Sequence, residues 1–485
     1  MGYIQKTSIK KNIFYQMIYE LLVLILPFLT SPYIARVIGV EGVGIYSYTY
    51  SIAYYFVLFC MLGIKNHGNR EIAQCREDKQ KLFRTFSELL TLHILISLIC
   101  ILFYLLYLLF FCENKLYAGI QGIYLLSALF DISWFYFGIE KFKLTVTCST
   151  IVRILNVIFI FAFVHTSQDL WKYCLIIALG NLISQLALWI PLKNYVKYLK
   201  PTKGDLIKHI KPLLILFIPF IAVSLYKCMD KIMIGNLSGK IELGYYENAE
   251  KVINIPMTII TSFGTVMLPR MAHLSNSDES LSFKYISMSF KYIMCLAFAL
   301  AFGLAGVGQI FAPVFWGNEF MDSGMIILGL SVTIPFLAFA NIIRTQYLIP
   351  RKKDKEFLIS VIMGAVVNLL INCILIPQYG ADGATIGTIF AEIAVCLVQC
   401  VYVRKELLIG KYIKNCTYFF VIGFIMFIGV YLIGIKLGIS IMTLFIQILA
   451  GGLFYCSAAA IYLLRKKDEL ITGLLVSLEK KLVKR

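Results

Sequence analysis

Runs of about twenty apolar residues follow one another along almost the whole chain, and they leave it few ways to fold. A helix needs roughly 20 apolar residues to cross the hydrocarbon core of a bilayer. Inside that core every backbone N–H and C=O must be satisfied within the segment itself, which only helices and closed barrels achieve. A window of that length divides this sequence into about fourteen runs, none with strand-like alternation. The expected fold is therefore all-α and polytopic, and the composition agrees: 60% of the 485 residues are hydrophobic, 15% are charged, and mean hydropathy is +0.81.

The net charge of +18 invites a nucleic-acid reading, but the positions of the positive residues argue otherwise. Most Lys and Arg fall in alternate short connections and at the two termini, as a positive-inside topology requires. Both ends are expected in the cytoplasm, the first apolar run is read as an uncleaved span, and no nucleic-acid partner is expected. The thirteen cysteines form no CxxC pair; Cys396 and Cys400 share a helix face but lack a ligand set around them, so no metal and no cofactor is expected. There is no phosphate-binding loop, which speaks against ATP hydrolysis.

Charges inside the spans carry the functional information. Span seven, Leu213 to Ile234, holds Lys227, Asp230 and Lys231 at i, i+3 and i+4, on one helix face. Each charge costs about 2.5–3.5 kcal/mol at the bilayer centre, so the trio must face something other than lipid. The next span opens with Glu247, Glu250 and Lys251 at the same spacing, and two polar faces turned to one interior imply a hydrated cavity. Glu20, Pro27 and Pro32 interrupt span one, which ends at Arg36; broken spanning helices line cavities or move. Arg70 lies in the basic loop Lys65 to Arg84. Asp131 sits about two turns inside span four, beside Trp134 and Tyr136, which read as headgroup-belt aromatics. Arg153 in span five either snorkels to the headgroups or faces the cavity. Arg344 in span ten and Glu392 in span twelve complete the set.

The pattern occurs twice. Pro27-Phe28, Ile38-Gly39, Gly44-Ile45-Tyr46, Gly63 and Arg70 recur as Pro219-Phe220, Ile234-Gly235, Gly244-Tyr245-Tyr246, Gly264 and Arg270, at offsets of about 192 to 201 residues. Such a repeat suggests a transporter of two pseudo-symmetric lobes around a central site. The expected division is a first lobe of six spans over 1–192, a cytoplasmic linker over 193–211 and a second six-span lobe over 212–403. Two additional spans over 404–464 and an amphipathic cytoplasmic tail over 465–485 follow.

The run Pro32-Tyr33-Ile34-Ala35-Arg36-Val37-Ile38-Gly39, with Glu41 to Tyr46 and Arg70-Glu71-Ile72, resembles the first helix pair of the Wzx-type oligosaccharide flippases. These are polysaccharide transporters of the MOP superfamily, which also holds the MATE exporters and lipid II flippases. Asp131 to Glu140, Asp230 to Gly235, Gly244 to Lys251 and Pro377 to Glu392 extend the resemblance over essentially the whole chain. It implies a MATE-like fold and alternating access for an undecaprenyl-diphosphate-linked oligosaccharide at the plasma membrane. A polysaccharide polymerase is a further partner that the resemblance implies.

The residues independently suit an anionic lipid head, which needs cations: Arg binds phosphate oxygens bidentately and Lys acts as a point charge. Arg36, Lys227, Lys231 and Lys251 are the first candidates for binding it, with Arg70, Arg153 and Arg344 beside them. A coupling ion, H+ or Na+, would be held by Glu20, Asp131, Asp230, Glu250 or Glu392, or these carboxylates are structural partners of nearby cations. Two alternatives are an ion-coupled exporter of cationic drugs, which calls for an anionic cavity, and a membrane glycosyltransferase or polymerase. The last would need a catalytic domain outside the bilayer, where this chain has only short loops; the leading expectation is a transporter and not an enzyme.

Overall fold

A computed structural model describes residues 9–466, and their side chains from position 26 onward except 27, 219, 220, 222, 223 and 225–227. The expected site residues Glu20 and Lys227 lie outside the described side chains, and the tail from 467 onward lies outside the described residues. Among the described residues all regular structure is helical, and eleven segments are long and apolar enough to cross a membrane. Two of these, Phe28–Cys75 and Asp354–Val403, have 48 and 50 residues, more than twice what one crossing takes.

Both long segments are divided by a glycine. Helix α1, Ile9–Met61, is interrupted at Gly39 (φ 70°, ψ 178°), so the expected spans one and two are its two arms. Only a residue without Cβ adopts such a conformation cheaply. Two compact units divide the chain, Met1–Glu247 and Asn248–Arg485.

In the first unit α1 is followed by α2 (Ile64–Cys75), α3 (Lys79–Phe110), three short helices α4 (Lys115–Gln121), α5 (Ile123–Leu129) and α6 (Ser133–Gly138), then α7 (Phe142–Phe163), α8 (Leu170–Leu192) and α9 (Lys203–Leu237). The unit ends within the second turn of α10, Lys240–Ser277. Amphipathic α2 buries Ile64, His67, Gly68 and Ile72. A Cβ on Gly68 would lie 2.6 Å from the Trp134 ring, so the glycine lets α2 lie flat on α6. Phe86, Leu89, Ile132, Phe135 and Leu213 close the core around them.

In this unit the fourth span is found at Lys115–Gly138 but is subdivided, and one expectation fails. Span four is not one helix but α4, α5 and α6: Asp131 Oδ1 accepts the Ser133 N–H at 2.8 Å, starting a new helix where the span was expected to continue. Trp134 and Tyr136 are not belt aromatics; both are fully buried. The Trp134 indole donates to the Asp131 carbonyl (3.1 Å), and the Tyr136 hydroxyl donates to the Leu188 carbonyl (2.6 Å). Core packing claims rings that hydropathy alone assigns to the interface.

The repeat is visible in the backbone, with a shift in register. The left-handed turn matching Gly39 falls at Gly239 (φ 101°), rather than at Gly235. The second arm of α1 and the start of α10 meet reciprocally: a Cβ on Gly44 would strike the Lys240 carbonyl, and one on Gly244 would strike the Val40 carbonyl. Each glycine lies 200 positions from its counterpart, as does each carbonyl. The contact is a local twofold built on small residues.

In the second unit α11 (Glu279–Trp316) packs against α15 (Ile409–Leu437) and α16 (Ile441–Arg465), sharing the core of Val307, Phe419, Ile422, Met426, Val430 and Tyr455. A Cβ on Gly306 would lie 2.9 Å from the Val430 side chain. Phe420, Phe424, Phe445 and Ile448 point outward and are exposed, as a lipid-facing surface allows. The expected span ten is α12 (Ser323–Ser331) and α13 (Thr333–Ile343), closed by a π-helical turn at Arg344–Leu348. Helix α14 (Asp354–Val403) breaks at Gly380 (φ 53°) into the expected spans eleven and twelve.

Candidate functional site

In the first unit the second arm of α1, the end of α9 and the start of α10 bring polar groups together. Lys231 on α9 places Nζ 2.7 Å from Glu247 Oε2 on α10, with side chains 17% and 12% exposed. The Ser47 hydroxyl on α1 donates to the same oxygen at 2.6 Å. At the neighbouring position on each of these helices the Tyr246 hydroxyl donates to Asp230 Oδ2 at 3.2 Å, and Asp230 is buried. Lys240 caps the group: Nζ donates to the Gly235 carbonyl at 2.6 Å and lies 3.2 Å from the Tyr48 ring centroid, while the Tyr48 hydroxyl donates to Asn236 Oδ1.

A row of tyrosines runs down the same arm of α1. Tyr46, Tyr50 and Tyr54 lie at i, i+4 spacing with centroids 5.9 and 6.0 Å apart. Tyr173 packs on Tyr46 at 4.8 Å and Tyr124 packs edge-on to Tyr50 at 5.2 Å. Tyrosines in such a row offer apolar ring faces and hydroxyls together. Next to a half-buried ammonium paired with a carboxylate, the surface suits a ligand with sugar-like faces and an anionic group.

Elsewhere the expected residues are spread out. Arg36 is exposed on the first arm of α1, and Arg153 is half-buried on α7. Arg70 is half-exposed on α2, with Nη2 3.3 Å from His67 Nδ1 and 3.4 Å from Glu71 Oε1. Asp131 accepts the Ser133 N–H just before α6, as described. In the second unit the Lys251 ammonium donates to Asn248 Oδ1 at 3.1 Å, Glu250 is half-buried on the same helix, and Glu392 is buried in the second arm of α14.

Arg344 donates through Nη2 to Asn341 Oδ1 at 2.6 Å, and Asn341 Nδ2 donates to the Ile260 carbonyl of α10 at 3.2 Å. The approach is open because α10 carries Gly264, where a Cβ would lie 2.6 Å from Asn341 Nδ2. Arg344 also begins the π-helical turn, with the Ile349 N–H bonded to its carbonyl at 3.0 Å; such turns concentrate at functional sites.

Of the expected set, the first unit therefore brings Asp230 and Lys231 into one cluster with Glu247. Sequence reasoning missed Ser47, the tyrosine row and Asn341. Ser47 was findable, since it lies 200 positions before Glu247, and Tyr46, Tyr50 and Tyr54 recur at helical spacing. Nothing in the sequence connects Asn341 to Ile260.

Known proteins can now be set beside this geometry. Residues 9–275 match the family described as "Polysaccharide biosynthesis protein". A putative O-antigen transporter of Shigella dysenteriae is 23% identical over 393 residues, covering 80% of this chain and 98% of that one. The capsular polysaccharide biosynthesis protein CapF of Staphylococcus aureus is 24% identical over 412 residues, 82% of this chain and 99% of that one. Among solved structures, the lipid II flippase MurJ in an inward closed conformation superposes with a TM-score of 0.73 at 16% identity, over 94% of this chain and 99% of that one. That likeness bears on the fold alone.

Proposed function

The chain belongs to the polysaccharide biosynthesis protein family, and from that premise we propose that it flips lipid-linked oligosaccharide repeat units across the plasma membrane for surface polysaccharide synthesis. It is an integral membrane transporter and not an enzyme, in line with the putative O-antigen transporters and the flippases among its relatives. The substrate class is an undecaprenyl-diphosphate-linked glycan, and alternating access carries it. The fourteen-span layout belongs to this reading, with six-helix lobes over 1–192 and 212–403, two added spans over 404–464 and both termini cytoplasmic. So do a coupling ion and a polymerase that receives the product.

The observation that supports it best is Lys231, held half-buried by Glu247 and Ser47 beside the tyrosine row. A phosphate competes with Glu247 for the ammonium, while ring faces of Tyr46, Tyr50 and Tyr54 take the apolar faces of sugars. The polyprenyl tail stays in the bilayer. Arg36, Lys251 and Arg344 are further cations for the head group.

The test is reconstitution. Proteoliposomes carrying a fluorescent undecaprenyl-diphosphate oligosaccharide should lose at least about tenfold of their flipping rate on Lys231→Glu, roughly 1.4 kcal/mol in the barrier, with membrane insertion unchanged. Flipping at the wild-type rate would overturn the reading.

A further inference from the structure

At the opposite end of the first unit from the Lys231 cluster along α9, three helices bury a chain of titratable side chains that the proposed transport path does not use. His67 of α2 and His209 of α9 are buried, as is Glu88 of α3, at 1%, 5% and 1% exposure. His67 Nε2 lies 2.9 Å from His209 Nδ1, and His209 Nε2 lies 3.1 Å from Glu88 Oε2. Only one arrangement of hydrogens on neutral rings satisfies every contact. Arg70 is always a donor, so His67 Nδ1 accepts from it; His67 then donates from Nε2 to His209 Nδ1, and His209 donates from Nε2 to Glu88.

Glu88 is fixed as the anionic end. Arg84 Nε lies 3.1 Å from Oε1, and Lys208 Nζ 2.7 Å from Oε2. Asp205 in turn takes Arg84 at 2.7 Å and Lys208 at 3.9 Å. From α2 the facing groups are Arg70 and Glu71, with Glu71 Oε1 3.8 Å from His67 Nδ1. Helix α6, packed on the other side of α2, presents only Tyr136 among titratable side chains, and its hydroxyl is bonded to Leu188. Three cations and three carboxylates thus surround the two rings.

We propose that His67 and His209 form a binding site for one proton, and that its occupancy decides whether Arg70 is held on α2 or released. The bookkeeping of hydrogens forces this. Whichever ring carries the added charge, one N–H still lies between the rings and one still points to Glu88, so the new N–H emerges at His67 Nδ1. There it faces the Arg70 donor, which must withdraw, and Glu71, which moves in. A second proton would set two N–H groups head to head across 2.9 Å, so the pair takes one only. This rests on the flippase reading in one respect: Arg70 is among the cations suited to an anionic head group, so protonation would make a cation available to substrate and names H+ as the coupling ion.

The test uses the full chain in nanodiscs, labelled with 15N at histidine and arginine; five histidines keep the spectrum assignable through His67→Gln, His209→Gln and Arg70→Lys. Burial pushes the His67 ring down to about 4, so between pH 7 and 3 the pair should bind one proton, with the Arg70 guanidinium signal moving at the same midpoint. Glu71→Gln keeps both rings and Arg70 but removes the acceptor for the new N–H, and should lower that midpoint by about one unit. Two independent titrations, no proton uptake in this range, or an Arg70 signal that ignores the rings would each overturn the proposal. Flipping in proteoliposomes separates the two readings. A rate that persists but is flat across pH sinks the relay alone, whereas no flipping at any pH sinks the flippase while the spectra still judge the relay.

Discussion

On the proposed reading, Glu247 competes with a phosphate for the Lys231 ammonium. Its Oε2 holds both the Lys231 ammonium and the Ser47 hydroxyl within 2.7 Å, and at 12–17% exposure the pair is dry enough for its charges to matter but wet enough to exchange partners. On that reading, an anionic head group displaces one carboxylate oxygen and gives it back on release. Glu247→Gln removes the competitor's charge while keeping its shape. Head-group binding should tighten, with apparent KM falling several-fold, and turnover should fall because release is slowed. Proteoliposome kinetics over a range of substrate densities check this; a rise in KM would mean that Glu247 helps to bind substrate rather than competing with it.

Among the elements, the reciprocal approach of α1 and α10 depends on Gly44 and Gly244, where a side chain would meet the Lys240 or Val40 carbonyl. Backbone cannot swing aside as a flexible side chain can. Gly44→Val should therefore push the two helices apart and unseat the adjacent Ser47–Glu247 contact, lowering thermal stability by about 1–3 kcal/mol and abolishing flipping. Gly429→Val on α15, where a Cβ meets no atom within 4 Å, is the control that should retain both. The start of α9 responds to pH instead. The Thr202 hydroxyl and amide, with Arg84, hold the Asp205 carboxyl well below the usual carboxylate range. A carboxylate so depressed stabilises the folded state above its unfolded value of about 4, and that contribution fades as pH falls below it toward the folded value. Amide exchange in the first turn of α9 should thus accelerate below about pH 4 relative to neighbouring helices. Asp205→Asn should exchange faster at neutral pH and show little of this acid response.

For the whole molecule, what could be read in the sequence follows how local each feature is. Spans are legible because a run of about twenty apolar residues carries its own reason to be helical in lipid. The breaks at Gly39 and Gly380 sit where a turn between spans was expected. The subdivision of span four was not legible because it depends on Asp131 accepting the Ser133 N–H, and Trp134 was misread because its burial depends on Gly68 of another helix. The face of Lys227, Asp230 and Lys231 was legible from i, i+3, i+4 spacing and Glu247 from the polar opening of the next span, but the pairing of Lys231 with Glu247 came into view only once α9 and α10 were packed on α1. The proton relay joins His67 to His209, 142 positions apart, and no periodicity connects them. Sidedness is the remaining property of the whole chain, and α3 offers a clean measure of it. At 1.5 Å per residue its 32 residues span about 48 Å, more than the ~30 Å core, so its two ends lie on opposite faces. Arg70, Arg76, Lys79, Lys81 and Arg84 gather near its start, and Arg76 reaches Glu140 at 2.5 Å, which brings Lys141 and Lys143 to the same end. The far end, around exposed Glu113, has Lys115 and Lys240 nearby, fewer cations than the start. A positive-inside orientation then predicts that, in a background with the native cysteines replaced, Lys79→Cys reacts with a membrane-impermeant thiol reagent only after the cells are opened, whereas Glu113→Cys reacts in intact cells. The reverse pattern would invert the whole chain and place the His67–His209 pair on the outer side, where an acidic exterior rather than the cytoplasm would load it.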